Sequence, residues 1–339
     1  MRVILDAMGG DNGTDELVSG AVMAARQFGI EIILVGQEAV VKSALSKHQV
    51  EGLKLPIVNA SEVIEMGEHP AQAVRRKKDS SVMVGLRLLE KGEAEAFVSA
   101  GHSGATMAGA ILGAPGRIKG VERPALATVF PAKQGAVLVL DVGANTEVKP
   151  EYLVQFAQMG SVYFERLFKR SNPRIGLLSN GEEESKGSIL VQEAHQLLKK
   201  VNGLNFIGNI EGKDVPEGLA DVVVTDGFTG NILIKTAEGV ASYLLNTIRK
   251  ELTSSLPNKL LALGLKPAFG RVRKALDYEE YGGAPLLGVN GIVIITHGRM
   301  KAKGIMNSIR VAGDAAQSGT VEAIRSLFIP TAEATITKI

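Results

Sequence analysis

Short apolar runs separated by helical patterns fill the chain of 339 residues. The runs RVILD (2–6), EIILVG (31–36), KLPIV (54–58), EAFVSA (95–100), ALATVF (near 128), AVLVLD (136–141), RIGLLS (174–179), LNFIG (204–208), DVVVTD (221–226) and GIVIIT (291–296) predict strands. Most are apolar throughout, the pattern of strands covered on both faces. Between them, apolar positions recur at helical spacing. One helix follows Thr14 and another spans about 80–90. PEYLVQFAQMGSVYFERLF (150–168) opens on Pro150, and KGSILVQEAHQLLKK covers 186–200. The alternation predicts an α/β fold of three layers, α/β/α, around a largely parallel sheet. No Pro/Gly/Ser-rich linker divides the chain. Residues 1–339 therefore read as one continuous unit, of one body or two lobes around a crevice, with a strandless helical excursion at 238–280.

Five of these runs end in loops of small and polar residues: DAMGGDNG (6–13), SAGHSGA (99–105), DVGANTE (141–147), SNGEEESKG (179–187) and DGFTGN (226–231). Ligands of parallel sheets bind beyond the carboxyl ends of strands, so strands sharing one sheet would turn all five loops to one crevice. Bare amides at a helix start make an anion site. Ser103, Thr106 and the Gly101–Gly104 backbone suit that role, as do Thr229, Gly230 and Asn231; each loop taken singly also reads as ordinary turn and cap residues. None is a P-loop, and none is a clean dinucleotide fingerprint. Asp6, Asp141 and Asp226 each open a loop; holding backbone N–H groups is favoured over binding Mg²⁺. Lys186, expected at a helix start where the dipole disfavours it, reads either as a point charge for phosphate or an oxyanion, or as a solvated partner of Glu182 or Glu183.

Composition narrows the chemistry. With no cysteine, disulfides, thiolate metal sites and a cysteine nucleophile are excluded. The five histidines form no metal-binding spacing, so no metal is expected. A net charge of +2 predicts no nucleic-acid partner. The opening MRVILDAMGG is no signal peptide, and no apolar run is long enough to span a membrane, which leads to an expectation of the cytoplasm. There are 39 glycines, well above the usual share of roughly 7%, which implies many close backbone approaches.

The segments DAMGGD, HPAQAVRRKKDSS, RPALATVFP, LDVGAN, FIGNIEG, DVVVTDGFTGN and YGGAPLLGVNG together resemble the bacterial phosphate acyltransferases of phospholipid synthesis, over residues 1 to about 312. The resemblance implies transfer of a fatty acyl group from acyl carrier protein to inorganic phosphate, without a cofactor. The acyl phosphate would supply a membrane glycerol-phosphate acyltransferase. It also implies a fold similar to isopropylmalate dehydrogenase and phosphotransacetylase, and a homodimer. Four loops depart from the family pattern: SAGHSG for S-A-G-N-T-G, LLSNG for L-L-N-I-G, HGRMKAKG (with Arg299 and Met300) for H-G-S-S, and NGTD for an aromatic followed by Ala-Pro.

Phosphate is already an anion and needs orientation and oxyanion stabilisation more than a strong base. The resemblance puts Lys186 and Asn231 at the catalytic positions, Lys186 for phosphate or the oxyanion and Asn231 for a hydrogen bond to carbonyl or phosphate. Ser99, Gly101, Ser103 and Gly104 are the expected phosphate contacts, with Gly10, His102, Asn145, Gly181, Thr229 and Gly230 completing the phosphate and acyl site. His102 and His297 are candidates to protonate the leaving thiolate. Within 256–276, LPNKLLALGLKPAFGRVRKAL has basic residues, no acid, and Leu260, Leu261, Leu263 and Leu265 at its centre; membrane surface and dimer contact are both open. Arg75, Arg76, Lys77 and Lys78 read as a solvated face or a dock for the acidic acyl carrier protein. The alternatives are an NAD- and Mg²⁺-dependent decarboxylating dehydrogenase of related fold, and a non-catalytic membrane scaffold for lipid enzymes.

Overall fold

The structure, a computed structural model, describes residues 1–133, 135–276 and 278–329. Its strands are β1 (Arg2–Asp6), β2 (Glu31–Gly36), β3 (Ile57–Asn59), β4 (Ala96–Ser99), β5 (Ala125–Ala132), β6 (Gly135–Leu140), β7 (Ile175–Leu178), β8 (Phe206–Ile210), β9 (Val222–Val224), β10 (Ala284–Leu287) and β11 (Ile292–Ile295). Its α-helices are α1 (Gly13–Phe28), α2 (Glu38–Leu45), α3 (Pro70–Arg76), α4 (Ser81–Glu90), α5 (Ser103–Leu112), α6 (Pro150–Phe168), α7 (Ile189–Leu198), α8 (Gly227–Leu252), α9 (Leu256–Leu276), α10 (Ala302–Gln317) and α11 (Thr320–Phe328).

Within each apolar run, successive side chains point to opposite faces and both faces are covered. Val3, Leu5, Ile32 and Leu34 join a core with α1 and α10, while Ile4, Ile33 and Val35 face α4 and α5. Leu138, Leu140, Val222 and Val224 pack under α6 and α7; Val137, Val139 and Val223 face the other way, toward Leu233 and Ile234 at the start of α8. The helical spacing in α6 puts Leu153, Phe156, Ala157, Gly160, Tyr163 and Phe164 on its buried face. Each large side chain so buried stabilises the fold by roughly 1.5–3 kcal/mol. Gly160 lets α6 sit close, since a Cβ there would meet Val222 and Leu140 at 2.8 and 2.9 Å.

All strands join one sheet in the order β3-β2-β1-β4-β11-β10-β5-β6-β9-β7-β8. Seven pairings are parallel, but β11–β10, β10–β5 and β5–β6 are antiparallel. The sheet therefore has two parallel halves running in opposite senses. Ser99 lies opposite Ile295, Ile295 opposite Ala284, Leu286 opposite Leu126 and Leu140 opposite Ala127. This register ends β4 and β11 within about one residue of the height at which β6 and β9 end. Two sets of strand-end loops thus meet at mid-sheet, rather than five loops along one edge.

The sequence reading omits β10, whose APLL carries Pro285 and is too short to show a period. It places the fourth helix at 186–200, whereas α7 begins at Ile189 behind the cap Ser188. Lys186 accordingly lies in the loop before the helix. The excursion at 238–280 is a hairpin of α8 and α9, and much of α8 beyond its second turn is solvent-exposed.

Candidate active site

The first loop set follows β1, β4 and β11. Asp6 is 1% exposed, and its carboxylate accepts from Ser99 Oγ (2.8 Å) and Met8 N (3.1 Å). Burial pushes this carboxyl above its ordinary value, against hydrogen bonds from Ser81, Ser99, Met8 and Gly9. Ser99 Oγ in turn accepts from Gly101 N at 3.1 Å. Ser99 is thus a buried strut of the loop. A Cβ on Gly9 would lie 2.5 Å from the Gly101 backbone, and one on Gly104 would lie 2.8 Å from Pro70 Cγ. These glycines let parts of the protein interlock. Gly10, at φ +98°, lies beside Ala100 and the Gly298 carbonyl.

His102 caps α5. Its Nδ1 accepts from Ala105 N at 3.4 Å, so Nε2 carries the proton and donates to Glu68 O at 3.0 Å. With both ring nitrogens engaged, His102 has no free lone pair for proton transfer. It takes the Ala105 amide and leaves those of Ser103 and Gly104, which have no intrahelical acceptor, at the mouth of α5. Asn12 joins the third loop by donating to the carbonyls of Arg299 (2.9 Å) and Met300 (3.1 Å). Two of the loops that depart from the family pattern therefore touch each other.

The second set follows β6, β7 and β9. Asp141, fully buried, accepts from the N–H groups of Leu126, Gly143, Ala144 and Asn145 and from the Asn145 side chain, at 2.7–3.1 Å. Burial pushes its carboxyl upward while these donors oppose the shift. Asn145 spends its side-chain amide on Asp141 and Pro124 O, so that amide braces the loop. The start of α8 is seated on this loop: Gly227 N donates to Asn145 O at 2.7 Å, and a Cβ on Gly230 would fall on the Asp141 carbonyl. Asp226 caps α8, accepting from Thr229 N (2.8 Å) and Thr229 Oγ1 (2.7 Å). All three strand-end aspartates hold backbone N–H groups. Asn231 is exposed on the first turns of α8.

Lys186 is exposed, and its Nζ has no ion-pair partner among the described residues. Its stem crosses Gly181, where a Cβ would sit 2.7 Å from Lys186 Cγ. Two of the three acids beside it are engaged elsewhere: Glu184 pairs with Lys199 (2.6 Å), and Glu182 lies 4.0 Å from Lys213, while Glu183 Oε2 lies beside the same Gly181 as the Lys186 stem. Glu182, Glu211 and Asp214 converge, but the Lys213 ammonium already pairs with Glu211 there.

α8 links the two sets. His297, after β11, is held below its ordinary pKa by partial burial and by Lys235 of α8 and Arg299, with Glu238 of α8 and Asp11 opposing. Lys77 turns inward, donating to Val63 O (2.6 Å) and Glu68 Oε1 (2.5 Å), whereas Arg75, Arg76 and Lys78 are exposed. Leu263 and Leu265 are exposed; the side chains of Leu260 and Leu261 lie outside the described residues.

Residues 1–323 match the family described as "Fatty acid synthesis protein". A protein of Desulfitobacterium hafniense named phosphate acyltransferase is 52% identical over 326 residues, covering 96% of this chain and 97% of its own length. The chain belongs to the phosphate acyltransferase family. It is an acyltransferase that uses phosphate as acceptor, in lipid synthesis. The phosphotransacetylase EutD of Staphylococcus aureus shares the fold, with a TM-score of 0.60 at 19% identity and 94% of each chain covered. So does 4-hydroxythreonine-4-phosphate dehydrogenase of Klebsiella pneumoniae, with a TM-score of 0.53 at 15% identity, covering 94% of this chain and 99% of that one.

The sequence reading missed His195 and Asn209, which brace the Lys186 loop. Asn209 lies within FIGNIEG, but its link to Lys186 is not visible in sequence order.

Proposed function

We propose that the fatty acyl group comes from the thioester of acyl carrier protein and that the mid-sheet loops hold the reaction. A phosphate oxygen attacks the thioester carbonyl, the C–S bond breaks, and the thiolate leaves and takes a proton. Lys186 supplies positive charge to phosphate or the oxyanion, and Asn231 donates to the carbonyl or phosphate. The free amides of Ser103 and Gly104 hold phosphate at α5, within loops whose close packing Gly10, Gly101, Gly181 and Gly230 permit and whose α8 start Thr229 helps to cap. His297, whose Nδ1 accepts from Arg299 N at 3.3 Å, is the candidate to protonate the leaving thiolate. The observation that carries this reading is the unpaired Lys186 beside three acids, two of which lie near other cations. Lys186→Ala is expected to remain folded and lose acyl-phosphate formation by at least 100-fold, the scale of one oxyanion donor. Near-normal turnover would remove Lys186 from the mechanism.

The finer assignments rest on surface chemistry. Arg75, Arg76 and Lys78 suit docking of an acidic carrier protein. A groove of about 690 Å³ between α8 and α9, lined by Leu245, Ile248, Leu252, Leu263 and Phe269, suits a homodimer contact. The exposed Leu263 and Leu265, among cations, suit a peripheral membrane surface, where acyl phosphate passes to a glycerol-phosphate acyltransferase. The expected location is cytoplasmic with peripheral membrane attachment. Liposome flotation tests the attachment: Leu263→Glu with Leu265→Glu should abolish it, and unchanged flotation excludes this tip.

A further inference from the structure

The Glu183 carbonyl is the node of the Lys186 loop. It accepts from Lys186 N at 2.9 Å, closing the turn, and from Asn209 Nδ2 at 2.9 Å. Asn209 is on β8 and 6% exposed. Because its Nδ2 faces a carbonyl, its Oδ1 faces His195, whose Nδ1 lies 2.9 Å away. An amide oxygen only accepts, so Nδ1 of His195 carries the proton. His195, on α7 and 3% exposed, packs edge-on against Phe206 of β8. Its Nε2 faces Glu184 Oε1 at 3.6 Å, and Glu184 is also held by Lys199. Two buried side chains from two elements therefore aim one N–H at the turn that presents Lys186.

We infer that Asn209 and His195 are positioning residues for the transfer: they fix the Glu183 turn and with it the placement of the Lys186 ammonium. The inference rests on the catalytic reading of Lys186. Neither residue touches substrate. His195 fixes which way the Asn209 amide points, and Asn209 fixes the turn. Without them, the acidic run at 182–184 is free to swing toward Lys186 and neutralise it.

The test is a set of steady-state kinetics on the full-length protein, with acyl carrier protein thioester and inorganic phosphate. Asn209→Ala is expected to lower kcat about 10- to 100-fold, the cost of a misplacement near 1 Å, with KM for the acyl donor unchanged. His195→Ala should do the same. His195→Gln, which keeps a donor for Asn209, should recover most of the rate. In a Lys186→Ala background, Asn209→Ala should cause no further loss, because its effect passes through that lysine. Multiplying losses, or an unchanged kcat in Asn209→Ala, would overturn the inference. If Lys186→Ala alone turns over normally, the reading of Lys186 fails instead. Should Asn209→Ala not fold, Asn209→Ser and the two His195 variants decide the matter by the same comparison.

Discussion

Gly230 has no room for a side chain. The Asp141 carbonyl occupies the place of its Cβ; that carbonyl is backbone and a Cβ is fixed by its own backbone, so neither can swing aside. Gly230→Ala is expected to cost about 3 kcal/mol, at the upper end of overpacking, and thermal unfolding checks it. Asp6 gives a pH signature. Its folded pKa is raised, so between the ordinary value of 3.8 and that raised value the folded chain holds more protons than the unfolded one. Stability contributed by Asp6 therefore falls as pH rises through that window. Asp6→Asn cannot ionise, so it should gain on the wild type as pH rises above the ordinary value of 3.8, as read by urea unfolding at several pH values. Much of this scale was legible in sequence, since all three strand-end aspartates hold backbone N–H groups. Ser99 and Asn145 were less so. A serine or asparagine in such a loop serves phosphate or its own backbone equally well, and only burial and partners separate the two.

At the scale of elements, α8 bridges the two loop sets and its start is held by a short list of bonds. Asp226→Ala removes the acceptor for Thr229 N and Thr229 Oγ1 and should cost about 1 kcal/mol, measurable by denaturant unfolding. α7 shows how a boundary misleads: helical periodicity runs back to Lys186, but Ser188 caps the helix by accepting from Val191 N, so the lysine stays in the loop. β10 was hidden for a related reason, since four residues with a proline carry no period. The antiparallel reversal around β10 and β5 was likewise invisible, because apolar runs report burial on both faces and not strand direction.

For the whole molecule, the α8–α9 groove and the basic face make separate predictions. Leu245→Glu places a charge in the groove and should convert a dimer to monomer by light scattering; an unchanged mass would exclude this contact. Arg75→Glu with Arg76→Glu should raise KM for acyl carrier protein at low salt, and leave turnover with a coenzyme A thioester, where accepted, unaltered.

The seam in the sheet also sets an order of assembly. β4 pairs with β11, and the face of α1 bearing Leu17, Val18 and Ala21 is covered by α10. Residues 1–112 are thus translated long before the segment 292–317 that completes their core. At synthesis rates of about 5–20 residues per second, the delay is roughly 10–40 s. The half built from β5 to β9 is continuous in sequence and can form most of its core early, although its β5 edge and one face of α6 still wait for Leu287, Ala315 and Ile324. The last fifty or so described residues close the first half around the second, and a chain truncated before Ile292 would leave α1's apolar face open to water and to other nascent chains.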